Sequence, residues 1–106
     1  MRDLSRVQKL PLQPGMVFGP ATAFPALKAD DGADIRMGVT EFAVGEYEMD
    51  LTYDEGLYIL EGEISLEADG ETHLLKVGDF LWMPANRKIA YRAKQRCKFL
   101  YVIPQA

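Results

Sequence analysis

Apolar and polar residues alternate along most of this chain in the way that β-strands require. Tyr47, Met49 and Leu51 alternate with acidic residues at period two, which is typical of a half-buried strand. The pattern predicts further strands over about residues 35–43, 57–60, 63–68, 71–76, 80–83, 89–93 and 99–103. No segment shows strong helical periodicity. Strands repeating every eight to twelve residues or so, with glycine turns between them, predict a β-sandwich or a small barrel.

Turn residues divide the chain into an irregular beginning and a regular remainder. Prolines and glycines interrupt residues 1–34, so we predict an N-terminal arm and irregular segment there, followed by a core at 35–104. Asp69-Gly70 lies between two strand patterns and is a standard signal of a two-residue hairpin. Residues 80–83 are apolar on both faces, so we expect this strand to lie between two layers or beneath a second subunit.

Composition and charge exclude several classes of protein. The chain has 106 residues, enough for one domain with one core. Its net charge of −4 disfavours a nucleic-acid partner, and no apolar run approaches the ~20 residues of a membrane span. The single cysteine, Cys97, excludes an intrachain disulfide and fits a reducing compartment. Since the N-terminus also lacks the apolar core of a secretion signal, we expect a cytoplasmic location.

Two motifs carry the most specific signal in the sequence. In residues 53–63 an acidic start leads into an apolar strand, and Gly62 follows Glu55 by seven positions. In residues 78–84 a strand begins after Gly78 and ends at Pro84, six positions later. This pair, in this order, resembles the two signature motifs of the cupin superfamily. The resemblance implies an all-β fold with little helix, a single cupin (jelly-roll) β-barrel.

The same comparison places apolar residues where cupins usually carry metal ligands. The superfamily commonly binds a metal through three histidines and the motif glutamate, and the three histidine positions here are Met49, Leu51 and Ile89. Asn86 takes the place of a motif glycine, which is tolerable because asparagine enters the left-handed region more readily than most residues. We therefore expect a cupin without a metal or other cofactor.

One branch of the superfamily shares these replacements. The triplet at residues 53–55, the segment Leu60-Glu61-Gly62-Glu63, Ile89, and the run at residues 99–102 resemble the ethanolamine-utilisation cupins, the EutQ-like family. The resemblance implies a bacterial source and a homodimer formed by sheet exchange or stacking. An acetate kinase activity and association with a protein-shelled microcompartment are attached to full-length members. Those members carry a long N-terminal extension that this sequence lacks, so the kinase activity is implied here only by the family resemblance and the compartment association stays open.

Glu55 is the sharpest candidate for chemistry. In the cupin frame its side chain points into the barrel, where burial without a metal raises the pKa of a carboxyl unless a cation pairs with it. Such a group suits general acid or base work near neutral pH. Tyr53 lies at the mouth of the same strand and can donate a hydrogen bond to a substrate oxygen or orient Glu55. We predict these two residues as the catalytic pair of a lyase-, isomerase- or hydrolase-type enzyme acting on a small polar substrate.

Further residues are predicted to bind the ligand in the barrel or at its mouth. They are Met49, Leu51, Ile89, Tyr91, Lys88 and Arg36. In an alternative interpretation Glu55 is only structural and is held by Arg36, Lys88 or a tyrosine hydroxyl. Asp54 alternates with Glu55, so it should face outward and be solvated or bind a turn amide.

A shift of one residue in the strand at 47–51 would turn its acidic side chains inward. Glu46, Glu48 and Asp50 would then converge with Glu55, and a divalent hard cation such as Mg²⁺, Ca²⁺ or Mn²⁺ would fit the site. Zinc is disfavoured because the only histidine, His73, which we expect on an exposed strand position, is not a neighbour of the only cysteine.

The main competing class is a non-catalytic dimeric module. In that case Met49, Leu51 and Ile89 plug the barrel and the surface binds a partner. Phe80 and Trp82 share one face of a strand, where they suit core or dimer packing. The state of the barrel interior, open or filled, separates the two classes. The sequence shows no glycine-rich phosphate cradle with its lysine, so it gives no basis for ATP binding.

Overall fold

The structure, a computed structural model, describes residues 3–105 as two antiparallel β-sheets packed face to face. Within this range the chain forms ten strands and one 3-10 turn, Ala29–Asp31, and no α-helix. The strands are β1 (Met16–Phe18), β2 (Ala21–Leu27), β3 (Ile35–Phe42), β4 (Gly45–Leu51), β5 (Glu55–Glu61), β6 (Glu63–Ala68), β7 (Glu71–Lys76), β8 (Phe80–Met83), β9 (Arg87–Ala93) and β10 (Cys97–Pro104). The prediction of an all-β chain is confirmed.

The strand order is that of a flattened barrel. One sheet has six strands in the order β1-β2-β3-β10-β5-β8, and the other has four in the order β4-β9-β6-β7. Residues at every second position face the space between the sheets, because successive side chains in a strand point to opposite faces. The inward residues form one core, in which Phe42, Leu51, Leu57, Ile59 and Ile64 are almost fully buried.

The hairpin of β6 and β7 follows directly from its turn residues. Asp69 and Gly70 both have positive φ, 55° and 77°, as the two central residues of a type I′ turn require. Both strands have the predicted bounds, and Ala68 pairs with Glu71 across the turn. Asn86 has a φ of 68°, so the expectation that it occupies the left-handed place of a motif glycine is also confirmed.

The prediction of an irregular segment over residues 1–34 is wrong for residues 16–27, which form β1 and β2. β2 pairs with β3 along its length, and β1 pairs with the other side of β2 to form one edge of the larger sheet. Pro25 lies within β2 opposite Gly38, and the register shifts between Pro25 and Leu27. Such an irregularity accommodates a residue that has no N–H to donate.

Two hydrogen bonds donated by backbone amides fix the loops beside Glu55. The Asp54 carboxylate accepts a 2.8 Å hydrogen bond from the backbone N–H of Ala85, as expected for a residue that pairs with a turn amide. The N–H of Asn86 donates to the carbonyl of Leu51 at 2.7 Å. The loop after β8 is thereby tied to the end of β4 and the start of β5. In the described range, no helix is long or apolar enough to cross a membrane.

Much of the outer side of the six-stranded sheet is apolar, and a charged row of Glu41, Lys98 and Glu61 lies at one end of it. Phe80 and Trp82 of β8 are 79% and 56% exposed, whereas Met83 of the same strand is buried. Of the two expected alternatives, core packing of Phe80 and Trp82 is therefore wrong, and packing beneath a second subunit stays a prediction. The same side of the neighbouring strands carries half-buried apolar residues. We call the whole set the outer apolar face: Phe24, Met37, Val39, Tyr58, Phe80, Trp82, Leu100 and Val102.

Candidate functional site

A cavity of about 450 Å³ lies between the two sheets. Its walls come from both sheets and from the segment around the 3-10 turn. The lining residues are Met16, Phe18, Ala21, Ala23, Pro25, Leu27, Lys28, Ala29, Asp30, Arg36, Thr40, Phe42, Tyr47, Met49, Tyr53, Glu55, Tyr91, Phe99, Tyr101 and Ile103. Five of the eight predicted site residues, Arg36, Met49, Tyr53, Glu55 and Tyr91, are brought together here.

Strand registers place Arg36 and Glu55 at the same level of the larger sheet. Arg36 of β3 pairs with Ile103 of β10, and Gly56 of β5 pairs with Val102 next to it. Arg36, Ile103 and Glu55 therefore point inward in one row across three adjacent strands. Thr40 and Phe99 form a row further along the same strands. The cavity thus has a charged region near Arg36 and Glu55 and a more apolar region beyond it.

The Glu55 carboxyl is 7% exposed, and its surroundings favour the neutral form. Burial raises the pKa of Glu55 to about 7, although the positive charge of Arg36 and a hydrogen bond from Tyr91 both act to lower it. Desolvation of the carboxylate outweighs the two favourable contacts. At neutral pH the carboxyl is therefore poised between its two protonation states, as general acid and base catalysis requires.

Tyrosine hydroxyls surround this carboxyl. The Tyr91 hydroxyl donates a hydrogen bond to Glu55, and burial, with the nearby carboxylate, raises the pKa of Tyr91 well above its ordinary value. Burial followed by the charge of Glu55 also raises the pKa of Tyr53 and that of Tyr101. All three phenols therefore stay protonated near neutral pH and act as hydrogen-bond donors.

Arg36 stacks on a tyrosine and forms no ion pair with any of the described residues. Its guanidinium carbon lies 4.8 Å from the centre of the Tyr53 ring, within the range of a cation–π contact. Its Nε is buried and has no hydrogen-bond partner. The ion pairs that the structure shows among residues 3–105 join other side chains, and none includes Arg36.

Three predicted ligand-binding residues do not line the cavity. Leu51 and Ile89 are 0% and 2% exposed and pack in the core instead. Lys88 is exposed, because it alternates with the inward-facing Ile89 in β9 and so points to the opposite side of the strand. The role assigned to these three residues is therefore corrected.

The alternative register of β4 is also wrong. Glu46, Glu48 and Asp50 are exposed on the outer side of the strand, whereas Met49 lines the cavity and Leu51 is buried. The carboxylates therefore do not converge with Glu55. No group of three or more histidine, cysteine, aspartate or glutamate side chains in the described part of the chain is placed to hold a metal ion. His73 lies half-exposed on β7 with its Nε2 3.7 Å from the Glu71 carboxylate.

Several residues that line the cavity were not predicted from the sequence. Thr40, Tyr47 and Tyr101 come from strands that the pattern located correctly, and the same period-two alternation that assigned Arg36 and Met49 could have assigned them. Met16 and Phe18 come from β1, which had no such signal because it has only three residues, all exposed.

Two antiparallel sheets that enclose a cavity with the motif glutamate on its wall define this chain as a cupin. The fold resembles that of the Cupin_2 domain of an XRE-family transcriptional regulator from Enterobacter cloacae, with a TM-score of 0.70 and 17% identity, over 82% of this chain and 98% of that one.

The chain belongs to the ethanolamine utilisation protein EutQ family, which matches residues 21–106. It is 33% identical over 73 residues to the acetate kinase EutQ of Escherichia coli K12, a match that covers 69% of this chain and 31% of that protein. The crystal structure of a putative EutQ from Salmonella typhimurium superposes with a TM-score of 0.75 at 28% identity, over 81% of this chain and 70% of that one. The chain thus spans about a third of the curated relative that it matches.

Proposed function

We propose that this chain is a small-molecule-binding cupin whose Glu55, together with Tyr53, moves a proton on a small polar substrate in a lyase- or isomerase-type reaction. The observation that carries the proposal is a cavity of about 450 Å³ with one buried carboxyl of raised pKa, about 7, on its wall. When the pKa of a general acid or base lies near the working pH, a large fraction of the group is in the protonation state that the reaction needs, and proton transfer to or from the substrate is still favourable.

The surrounding groups suit this role. The Tyr91 hydroxyl donates to Glu55 and so orients the carboxyl toward the cavity. Tyr53 keeps its proton and lines the same space, where it can donate a hydrogen bond to a substrate oxygen that gains charge. In an isomerisation the Glu55 carboxylate takes a proton from one substrate atom and returns it to another. In a lyase-type elimination the electron pair of the broken C–H bond forms the new double bond, the leaving group departs with its bonding pair, and protonated Glu55 can give the proton to it. Neither reaction needs a redox partner.

The open cavity favours this proposal over a plugged, non-catalytic module. Met49 is part of the wall and leaves the space free, while Leu51 and Ile89 are withdrawn into the core. Phosphoryl transfer has less support. The name acetate kinase belongs to a relative of which this chain matches 31%, and the sequence has no glycine-rich phosphate loop with its lysine.

Glu55→Gln should abolish turnover without disturbing the fold, since the amide fills the same volume but cannot exchange a proton. Small hydroxy acids, oxo acids and amino compounds can be incubated with the protein in D₂O, and NMR records deuterium uptake or new products. We expect Glu55→Gln to lower the rate by at least ~100-fold. Glu61→Gln, an exposed position on the same strand, should behave as wild type. Turnover retained in Glu55→Gln would refute the acid/base role.

We also propose that the chain forms a homodimer through the outer apolar face. Phe80 and Trp82 lie on β8, an edge strand of the six-stranded sheet, and Phe80 packs on Tyr58 with ring centres 4.4 Å apart. A sheet side with this many apolar residues is typical of a surface that another subunit covers.

Replacing both Phe80 and Trp82 by glutamate should convert the dimer to a monomer, because two charges would have to be buried against the partner. Size-exclusion chromatography with light scattering should show the mass falling from two chains to one. Val44→Glu is the matched control, since Val44 is exposed outside this face and its change should leave the dimer intact. A monomeric wild type, or a double variant that stays dimeric, would contradict the assignment.

A further inference from the structure

The charge of Arg36 is the least explained feature of the cavity. A guanidinium that borders a largely apolar space normally pairs with an acid, because an isolated cation loses hydration energy there. Arg36 instead stacks on Tyr53 with its Nε unpartnered, and the charge of Glu55 acts on it without an ion pair between them. The site therefore presents a cation that an incoming anion can bind.

The rest of the cavity is suited to an apolar body. Beyond the row of Arg36 and Glu55 its walls are formed by small and aromatic side chains, including Ala21, Ala23, Phe42 and Phe99. A ligand of only a few atoms would leave most of these walls without contacts.

We propose that the cavity binds an amphipathic organic acid, whose carboxylate is held by Arg36 and whose apolar body fills the space lined by Phe42 and Phe99. The proposal rests on the proposed function and specifies its substrate further: the polar head group lies beside Glu55 and Tyr53, and an apolar body is attached to it. The planar fork of an arginine fits a carboxylate with two parallel hydrogen bonds. A phosphate dianion is less well matched, because the described residues that line the cavity include only two cations, Arg36 and Lys28, and Lys28 is exposed and lies two positions from Asp30.

Glu55 couples this binding to pH. The groups that act on its charge or are acted on by it are Arg36, Tyr53, Tyr91 and Tyr101, and the raised pKa values of these three phenols keep them protonated near pH 7. Tyr47, Lys28 and Asp30 also line the cavity. A bound carboxylate beside Glu55 favours the protonated carboxyl, because two negative charges repel. The pKa of Glu55 in the protein without ligand is about 7, so the fraction of protein with a protonated Glu55 falls about tenfold from pH 6 to pH 8. The affinity for an acid should fall by the same factor. An ammonium ligand should show the opposite trend.

A matched set of probes tests the class of ligand. 3-Phenylpropanoate, 3-phenylpropan-1-ol and 3-phenylpropylammonium share one body and differ in the head group, and acetate carries the head group alone. Titrations followed by NMR on the full chain should show 3-phenylpropanoate binding at least tenfold more tightly than each of the other three. Its affinity should fall with rising pH, and Glu55→Gln should remove that dependence.

Variants at Arg36 decide whether the guanidinium carries the binding. Arg36→Gln should lower the affinity for 3-phenylpropanoate at least tenfold. Arg36→Lys should retain part of the affinity, because lysine keeps the positive charge but cannot form two parallel hydrogen bonds to the carboxylate. Lys88→Gln, which removes a cation outside the cavity, should have no effect. Circular dichroism confirms that each variant is folded.

The remaining outcomes overturn the proposal in distinguishable ways. Tighter binding of the ammonium probe, with affinity rising with pH, would reject the acid but leave a Glu55-centred site in place. Equal affinity for acetate would reject the apolar body. Absence of binding by all four probes would reject both the ligand class and the small-molecule site. Unchanged binding in Arg36→Gln would remove Arg36 from the site.

Discussion

The stability of wild type relative to Glu55→Gln should fall by about 3 kcal/mol as pH rises from about 4 to about 8. The folded protein holds the Glu55 proton up to a pKa of about 7, whereas the unfolded chain releases it near 4.5. Each unit of difference corresponds to about 1.4 kcal/mol. The expected change in the free energy of unfolding is therefore on the order of 3 kcal/mol.

The direction follows from which state binds more protons. Between the two pKa values the folded chain carries a proton that the unfolded chain has lost, so rising pH favours unfolding. The contribution of Glu55 to stability is complete below about pH 4.5 and is lost as the pH rises through about 7. The glutamine variant has no such titration, and effects of other groups cancel in the difference.

Urea unfolding at a series of pH values measures this difference directly. Glu61→Gln serves as the control, because it removes an exposed carboxylate from the same strand and should give a difference that is nearly flat with pH. A flat difference for Glu55→Gln as well would mean that the carboxyl titrates as in water, and the acid/base proposal would lose its basis.

Gly38→Ala should destabilise the fold by about 3 kcal/mol or more. A Cβ atom at Gly38 would lie 2.7 Å from Cα of Pro25 and 2.6 Å from the Tyr101 hydroxyl, and closer still to the carbonyl oxygen of Phe24. Two of these neighbours are backbone atoms of the adjacent strand, so relief requires β2 to move away from β3. Overpacking that shifts backbone costs up to about 3 kcal/mol and occasionally more.

Gly56→Ala is the matched control for this prediction. Gly56 is also a strand glycine in the same sheet, but its Cβ would make only ordinary contacts, 3.5 Å from the Trp82 ring and 3.9 Å from the carbonyl oxygen of Leu81. We expect its free energy of unfolding to stay within about 1 kcal/mol of wild type. Thermal unfolding should show a midpoint lowered by roughly 15 °C for Gly38→Ala and little change for Gly56→Ala. Equal midpoints would show that β2 can move away from β3 without a loss of stability.

The sequence predicts most of this fold because local signals and tertiary pairing agree over β3 to β10. The Asp69-Gly70 turn determines its hairpin, and period-two alternation determines which side of β4 faces inward. The same logic fails over residues 16–27, where Gly19, Pro20 and Pro25 resemble loop signals. The strand there exists because β3 offers it a pairing edge and a register shift absorbs the proline, and neither is visible locally.

The site is predictable only in part for a related reason. Alternation correctly directs Glu55, Arg36 and Tyr91 inward, and it could have excluded Lys88, which neighbours the inward Ile89. It cannot distinguish an inward residue that lines a cavity from one that fills the core. Leu51 and Ile89 are of the second kind, because the empty space lies nearer to β2, β3 and β10 than to the packed end of the smaller sheet.

The short strand β1 has a practical consequence for work on the isolated domain. The match to the family begins at residue 21, so an expression boundary chosen from that match would delete residues 16–20. Met16 and Phe18 would then be missing from the wall of the cavity, and β2 would become an unprotected sheet edge. Such a trimmed sample would still fold around the same glutamate while presenting an altered entrance, and an inactive preparation of it would say little about the intact chain.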